Sequence, residues 1–175
     1  IATLRAFLRL SEQGRGSDLH LVIAGGASLL DHSETRARFD EVLAASRCAD
    51  RVHLTGVIAD ADMPSLYRNA AMLCFPSLQE GFGLCVLEAL ACGIPVIASH
   101  GAPFDEYLQP GDAIRVDPRS EPAIADAILR ASHPEAAVRA RVRGPLRAQE
   151  FSWRQVAASH LADYVRFAEK VTEHA

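Results

Sequence analysis

The sequence predicts an α/β domain built as a doubly wound parallel sheet with helices on both faces. Three observations carry this. Short apolar runs alternate with longer amphipathic or charged stretches along most of the chain, the pattern of alternating strand and helix. The runs are mostly apolar throughout rather than on every second residue, as strands covered on both faces are. One segment, from Ala71 to Ser99, reads as strand, loop, helix, turn and strand, a complete unit of a parallel sheet.

Taken in order, residues 1–10 read as an amphipathic helix and 19–24 as a strand that ends at Gly25-Gly26. A helix with charges on one face is expected over 31–47, a strand over 51–54 and a helix over 61–70. Pro64 is tolerated in the first turn of that helix because the N–H it lacks would have no partner there. Asp60 and Asp62 suit the cap of the same helix, where a carboxylate accepts from unpaired N–H groups. Residues 71–75 form an apolar strand stopped by Pro76, a helix starts near Phe82, and Cys92-Gly-Ile-Pro95 turns the chain into a strand over 95–99. A loop over 100–103, a short helix over 105–108 and a strand over 113–116 follow. Helices are then expected over 121–132, over 134–150 with a break near Gly144-Pro145, and from 152 to about 173. No repeat, low-complexity stretch or linker divides residues 1–175, which read as one domain.

The segment Glu80-Gly-Phe-Gly-Leu-Cys-Val-Leu-Glu88 carries the chemistry. It begins at the C-terminal end of the strand 71–75, where ligands collect in open α/β sheets. Gly81 and Gly83 let the backbone approach a ligand, and the helix that follows points unpaired N–H groups and a positive dipole end at it. A diphosphate fits such a place. Glu80 in the loop and Glu88 about two turns into the helix are separated by roughly 8–12 Å at ~1.5 Å of rise per residue. One carboxylate can therefore serve hydroxyls on each side of a diphosphate, and vicinal hydroxyls suit carboxylates. Read alone, two Glu near a helix start are surface charges favoured by the dipole. The glycines, the preceding strand and the Cys-Gly-Ile-Pro ending set this pair apart.

Composition sets limits. A formal charge of −4 and a pI near 6.0, with scattered rather than striped Arg and Lys, give no basic field for nucleic acid. No apolar run reaches the ~18 residues of a membrane-spanning helix and no signal peptide is visible, so a cytoplasmic protein is expected. Cys48, Cys74, Cys85 and Cys92 lack ligand-type spacing, which supports neither zinc nor a disulfide framework. Of the seven His, His100 lies at the ligand end of the sheet, after the strand 95–99. Ser159, His160 and Asp163 do not form hydrolase machinery, because they point in different directions around a helix and no nucleophile elbow accompanies them.

The chain resembles the retaining glycosyltransferases of the two-domain GT-B fold, specifically the large group 1 family, family 4. The resemblance rests on Arg51-Val-His-Leu-Thr-Gly56, Met63-Pro-Ser-Leu-Tyr67, Phe75-Pro-Ser-Leu-Gln-Glu-Gly-Phe-Gly-Leu84, Leu87-Glu-Ala-Leu-Ala-Cys-Gly-Ile-Pro-Val96, Val116-Asp-Pro118 and Phe151-Ser-Trp153. It implies a Rossmann-like parallel sheet, the C-terminal half of a GT-B fold lacking its first strand, which would lie near the middle of the sheet. A chain of 175 residues accommodates that half alone, so an N-terminal domain is expected as a partner. Exposed sheet edges could self-associate.

The resemblance also implies roles. Glu80 would hold hydroxyls of the transferred sugar and Glu88 those of the ribose. N–H groups of Phe82, Gly83 and Leu84, with Gly81 beside them, would bind the diphosphate. Gly56, Val57 and Ile58 would line the base pocket, and Gly25 and Gly26 would sit beside the donor. The donor would be a GDP- or UDP-sugar, with no cofactor and no obligatory metal. The acceptor, whether glycan, lipid or small molecule, would lie against the N-terminal domain, which could also bring the protein to a membrane surface. The family's Arg and Lys for the diphosphate have no counterpart here, and Arg5, Arg9 and Arg68 do not match their positions. Cys85 stands where Pro is common, and Asp105-Glu106 where Pro-Glu is common. A thiol there predicts sensitivity to alkylation if it is not simply a packing residue. Two other readings stand beside hexosyl transfer: a nucleotide-sugar 2-epimerase of the same fold, and a binding module without activity of its own, the reading favoured for this chain in isolation.

Overall fold

The computed structural model describes residues 1–25 and 33–173. Its elements are α1 (Ala2–Glu12), β1 (Leu21–Ala24), α2 (Ser33–Ala44), a 3-10 turn (Ala49–Arg51), β2 (Val52–Gly56), α3 (Met63–Asn69), β3 (Leu73–Phe75), α4 (Leu84–Ala91), β4 (Val96–Ser99), α5 (Phe104–Tyr107), β5 (Ile114–Val116), α6 (Glu121–Ala131), α7 (Pro134–Gln149) and α8 (Trp153–Glu173). The expected alternation is therefore present, with the ends of most elements trimmed by a few residues. Among the described residues, no helix is long and apolar enough to cross a membrane.

All strand pairings are parallel, and they fall into two sheets. In one, β1 pairs with β2, Leu21 opposite Val52 and Ile23 opposite Leu54. In the other, β4 lies between β3 and β5, with Leu73 opposite Val96 and Ile97 opposite Ile114. The orders β1-β2 and β3-β4-β5 match the two flanks of a dinucleotide-type sheet. Among the described residues β1 and β3 each keep an unpaired edge, and the sheet is divided where the first strand is expected to be missing.

Packing follows from these layers. Ile97 at the centre of β4 is fully buried, and Ala6 and Leu10 of α1 meet Ile124, Ala127 and Ile128 of α6 around it. On the other face Val86, Leu87 and Leu90 of α4 pack with Tyr67 of α3, Ala98, and Phe104, Tyr107 and Leu108 of α5 and the residue after it. Leu4, Phe7 and Leu8 of α1 close over Phe39 of α2, beside Leu21, Ile23 and Val52. The buried carboxylate of Asp112 ties the approach to β5 to α7, taking Arg147 at 2.8 Å and Arg143 at 3.2 Å.

The helix over 134–149 is continuous, contrary to the expected break at Gly144-Pro145. Proline in a helix interior costs about 3 kcal/mol in isolation, so tertiary contact has to offset it. Gly144 supplies that contact: a Cβ there would stand 2.4 Å from the Leu90 carbonyl oxygen, and one on Gly93 would stand 3.1 Å from Arg141 Cα. The two glycines bring the backbones of α4 and α7 together, and the strongly apolar α4 needs that cover. Gly144→Ala is accordingly expected to destabilise the fold by about 1–3 kcal/mol through overpacking, reversing the gain of up to ~1 kcal/mol that alanine gives in an ordinary helix. Urea denaturation measures it, with Val138→Ala on the exposed face of α7 as a near-neutral reference.

Candidate functional site

The site grows from the C-terminal end of β3. After Phe75 the chain leaves the sheet, passes Glu80 and Gly81, and enters α4 through Gly83, which caps the helix in the left-handed region at φ +81° and ψ +51°. A side chain at Gly83 would be strained by that φ. It would also stand 2.5 Å from Cε1 of Phe104. The glycine is therefore required twice, once by conformation and once by the α5 ring seated against it.

A second clamp fixes the next peptide. The Tyr107 hydroxyl donates to the Phe82 carbonyl at 3.1 Å, and the Phe82 ring stacks on Tyr107 at 5.2 Å and meets Phe151 edge-on at 6.2 Å. Across a trans peptide the carbonyl and the following N–H point in opposite directions, so a carbonyl held on Tyr107 turns the Gly83 N–H away from α5. Among the described residues the N–H groups of Phe82, Gly83 and Leu84 donate to no protein acceptor, whereas Val86 N–H bonds the Gly83 carbonyl at 2.9 Å. Three adjacent donors at a helix start form an anion-binding arrangement.

Two carboxylates flank it. Glu80 is half-buried and its Oε1 accepts from Gly81 N–H at 3.2 Å. Glu88 is exposed on α4 and its Oε2 accepts from the Tyr67 hydroxyl at 2.8 Å. Burial first, and then the Glu88 carboxylate, lift the Tyr67 phenol far above its ordinary range, so it stays a donor. Cys85 lies between the carboxylates. Burial, followed by the charges of Glu80 and Glu88, pushes its thiol up to about 11.

The remaining predicted residues form a second group. Gly56 ends β2 at φ +68°, and its carbonyl accepts from Gly25 N–H at 3.0 Å. Val57 is exposed and Ile58 half-buried in the loop beyond. Gly26 lies outside the described residues. His100 is exposed and donates its backbone N–H to Val116 at 2.9 Å, joining the ends of β4 and β5. Asp105 anchors the neighbouring loop: its Oδ2 accepts from Gly101 N–H at 2.7 Å and its Oδ1 from Arg115 at 2.5 Å. Arg115 also donates to the Ser99 carbonyl at 2.9 Å, so this cation near the ligand end is already engaged.

Sequence reasoning singled out neither Tyr67, Tyr107, Phe104 nor Arg115 for the site. Arg115 left one signal, a charge inside an otherwise apolar strand. The two tyrosines and Phe104 reach the loop from other elements, and their own neighbours in sequence give no sign of it.

The raised thiol answers the expectation of alkylation at Cys85. A group this far above a free cysteine holds little thiolate near neutrality, so iodoacetamide at pH 7.5 is expected to modify Cys85 more than tenfold slower than a free thiol. The rate should climb as pH rises toward 11, because loss of the proton then becomes accessible. Peptide mass spectrometry over time measures both.

Residues 2–133 match the family described as Glycosyl transferases group 1. The D-inositol 3-phosphate glycosyltransferase of Salinispora tropica is 34% identical over 97% of this chain and 35% of its own length; the chain thus spans about a third of that relative. Sucrose-phosphate synthase of Thermosynechococcus elongatus superposes with a TM-score of 0.80 at 28% identity, covering 95% of this chain and 42% of the other. The Anabaena protein Alr3699/HepE, solved with UDP-glucose, superposes with a TM-score of 0.76 at 20% identity, covering 92% and 44%. The chain belongs to the group 1 glycosyltransferases and has the fold of the C-terminal half of a GT-B enzyme.

Proposed function

We propose that this chain binds a nucleoside-diphosphate sugar, GDP- or UDP-linked, for transfer of its sugar to an acceptor hydroxyl with retention of configuration. The observation that carries the reading is the row of unpaired N–H groups of Phe82, Gly83 and Leu84 at the start of α4, with Glu80 on one side and Glu88 on the other. An anion seated on the N–H groups places a hydroxyl-bearing group within reach of each carboxylate. Glu80 orients the sugar, Glu88 takes the ribose hydroxyls, Gly56, Val57 and Ile58 line the base pocket, and Gly25 lies beside the donor.

The chemistry follows from where charge develops. As the glycosidic bond breaks, negative charge grows on the leaving diphosphate, and fixed donors aimed at it lower the barrier without reorganising. Loss of one such donor in other enzymes costs about 10²–10³ in rate. Retention is compatible with acceptor attack on the face the leaving group vacates, the phosphate oxygen receiving the acceptor proton. In this reading the amides are the charge-neutralising groups the chain itself supplies. Arg115, engaged with Ser99 and Asp105, adds none. Donor binding by these residues alone is therefore weak, since a helix start contributes only about half a positive charge against a diphosphate, and transfer by them alone is absent.

Titration calorimetry with UDP, GDP and ADP tests this. One of the three is expected to bind, and Glu88→Ala to weaken it about tenfold or more, the scale of a hydrogen bond to a charged group. Gly83→Ala should abolish binding, since both φ and the Phe104 ring oppose a side chain there. Unaltered nucleotide affinity in both variants would sink the reading.

A further inference from the structure

Tyr67 is a core residue with one polar end. Its ring packs with Val86, Leu87 and Leu90, leaving 7% of the residue exposed, and its hydroxyl reaches the Glu88 carboxylate at 2.8 Å. The hydroxyl therefore has a fixed origin, set by α3 against α4, while Glu88 is an exposed side chain with rotatable bonds of its own. An unanchored glutamate on a helix surface samples several rotamers and must give up that freedom to grip a ligand. Here a charge-assisted hydrogen bond holds one oxygen in place before any ligand arrives. A carboxylate offers about four acceptor positions; Tyr67 occupies one on Oε2 and leaves those of Oε1 for two vicinal hydroxyls.

We infer that Tyr67 is the positioning residue that aims Glu88 at the ribose, and that the pair makes the site distinguish ribonucleotides from deoxyribonucleotides. This deepens the proposed role of Glu88 and rests on it. The phenol touches no ligand: it acts by fixing which oxygen of Glu88 faces outward. Its signature is selective, because a nucleotide lacking one of the two vicinal hydroxyls cannot be gripped as a pair by Oε1, so it gains little from an oriented Glu88 and loses little when the orientation is relaxed. A residue that only supported the fold would affect both ligands alike.

The test is calorimetry of the tighter binder of UDP and GDP alongside its 2′-deoxy and 3′-deoxy forms, on the native chain, Tyr67→Phe and Glu88→Ala. Tyr67→Phe keeps the ring and removes only the hydroxyl, and circular dichroism reports whether the fold is intact. The expected result is that Tyr67→Phe weakens the ribonucleotide about five- to tenfold, the scale of one hydrogen bond, and leaves the deoxy forms within about twofold. Glu88→Ala should erase the discrimination completely. Equal weakening of all three ligands by Tyr67→Phe, or full discrimination retained in it, overturns the inference while the role of Glu88 stands. If the native chain binds no nucleotide, or discriminates no better than Glu88→Ala, the role of Glu88 fails and the inference with it.

Discussion

The ring of Phe104 stands where a side chain on residue 83 would be, and that exclusion governs the rest of the site. It requires glycine, glycine permits φ +81°, and the left-handed turn starts α4 with its first N–H groups unpaired. Tyr107, three residues along α5 from Phe104, then takes the Phe82 carbonyl. One short helix thus sets both the position and the direction of the donors. Because α5 is itself held by Asp105 to Arg115 and by Arg115 to the end of β4, the loop is referenced to the sheet rather than left to its own flexibility.

Electrostatics explains why such a site needs help from elsewhere. A helix start contributes the equivalent of about half a positive charge, against a diphosphate of two or more negative charges, and Glu80 and Glu88 add two more of the wrong sign nearby. Their influence is visible within the protein, since both raise the thiol of Cys85. Carboxylates in this place oppose a bare phosphate and favour one that arrives with hydroxyls attached. In the proposed reading the site gains selectivity for a sugar nucleotide at the expense of affinity for its diphosphate.

Much of this was legible in the sequence because it is local. The apolar runs, the glycines and the spacing of Glu80 and Glu88 lie within one βαβ unit, and the structure keeps them in the expected elements. The position of the division in the sheet was legible as well, because strand order follows from the fold class. The continuity of α7 was not. Pro145 signals a break, and only the contact of Gly144 with Leu90, more than fifty positions away in sequence, shows why the helix persists. The clamps on the site were hidden for the same reason: Tyr67 is 21 residues from Glu88 and Tyr107 is 25 from Phe82, and no periodicity encodes a pairing between different elements.

The distribution of these clamps separates two tasks that share one helix. The N–H groups at the start of α4 are set from α5, on the chain after β4, whereas Glu88, further along α4, is set from α3, on the chain before β3. A ligand that spans both must fit two supports arriving from opposite sides of the central unit. Each support is a buried tyrosine in one core cluster with Val86, Leu87 and Leu90, so neither can move without disturbing that packing. Distance between amides and carboxylate is then fixed by the core itself. A ligand with the right groups at the wrong separation meets a rigid gauge, and in the proposed reading the spacing of a diphosphate and its ribose is matched by how the hydrophobic core is packed.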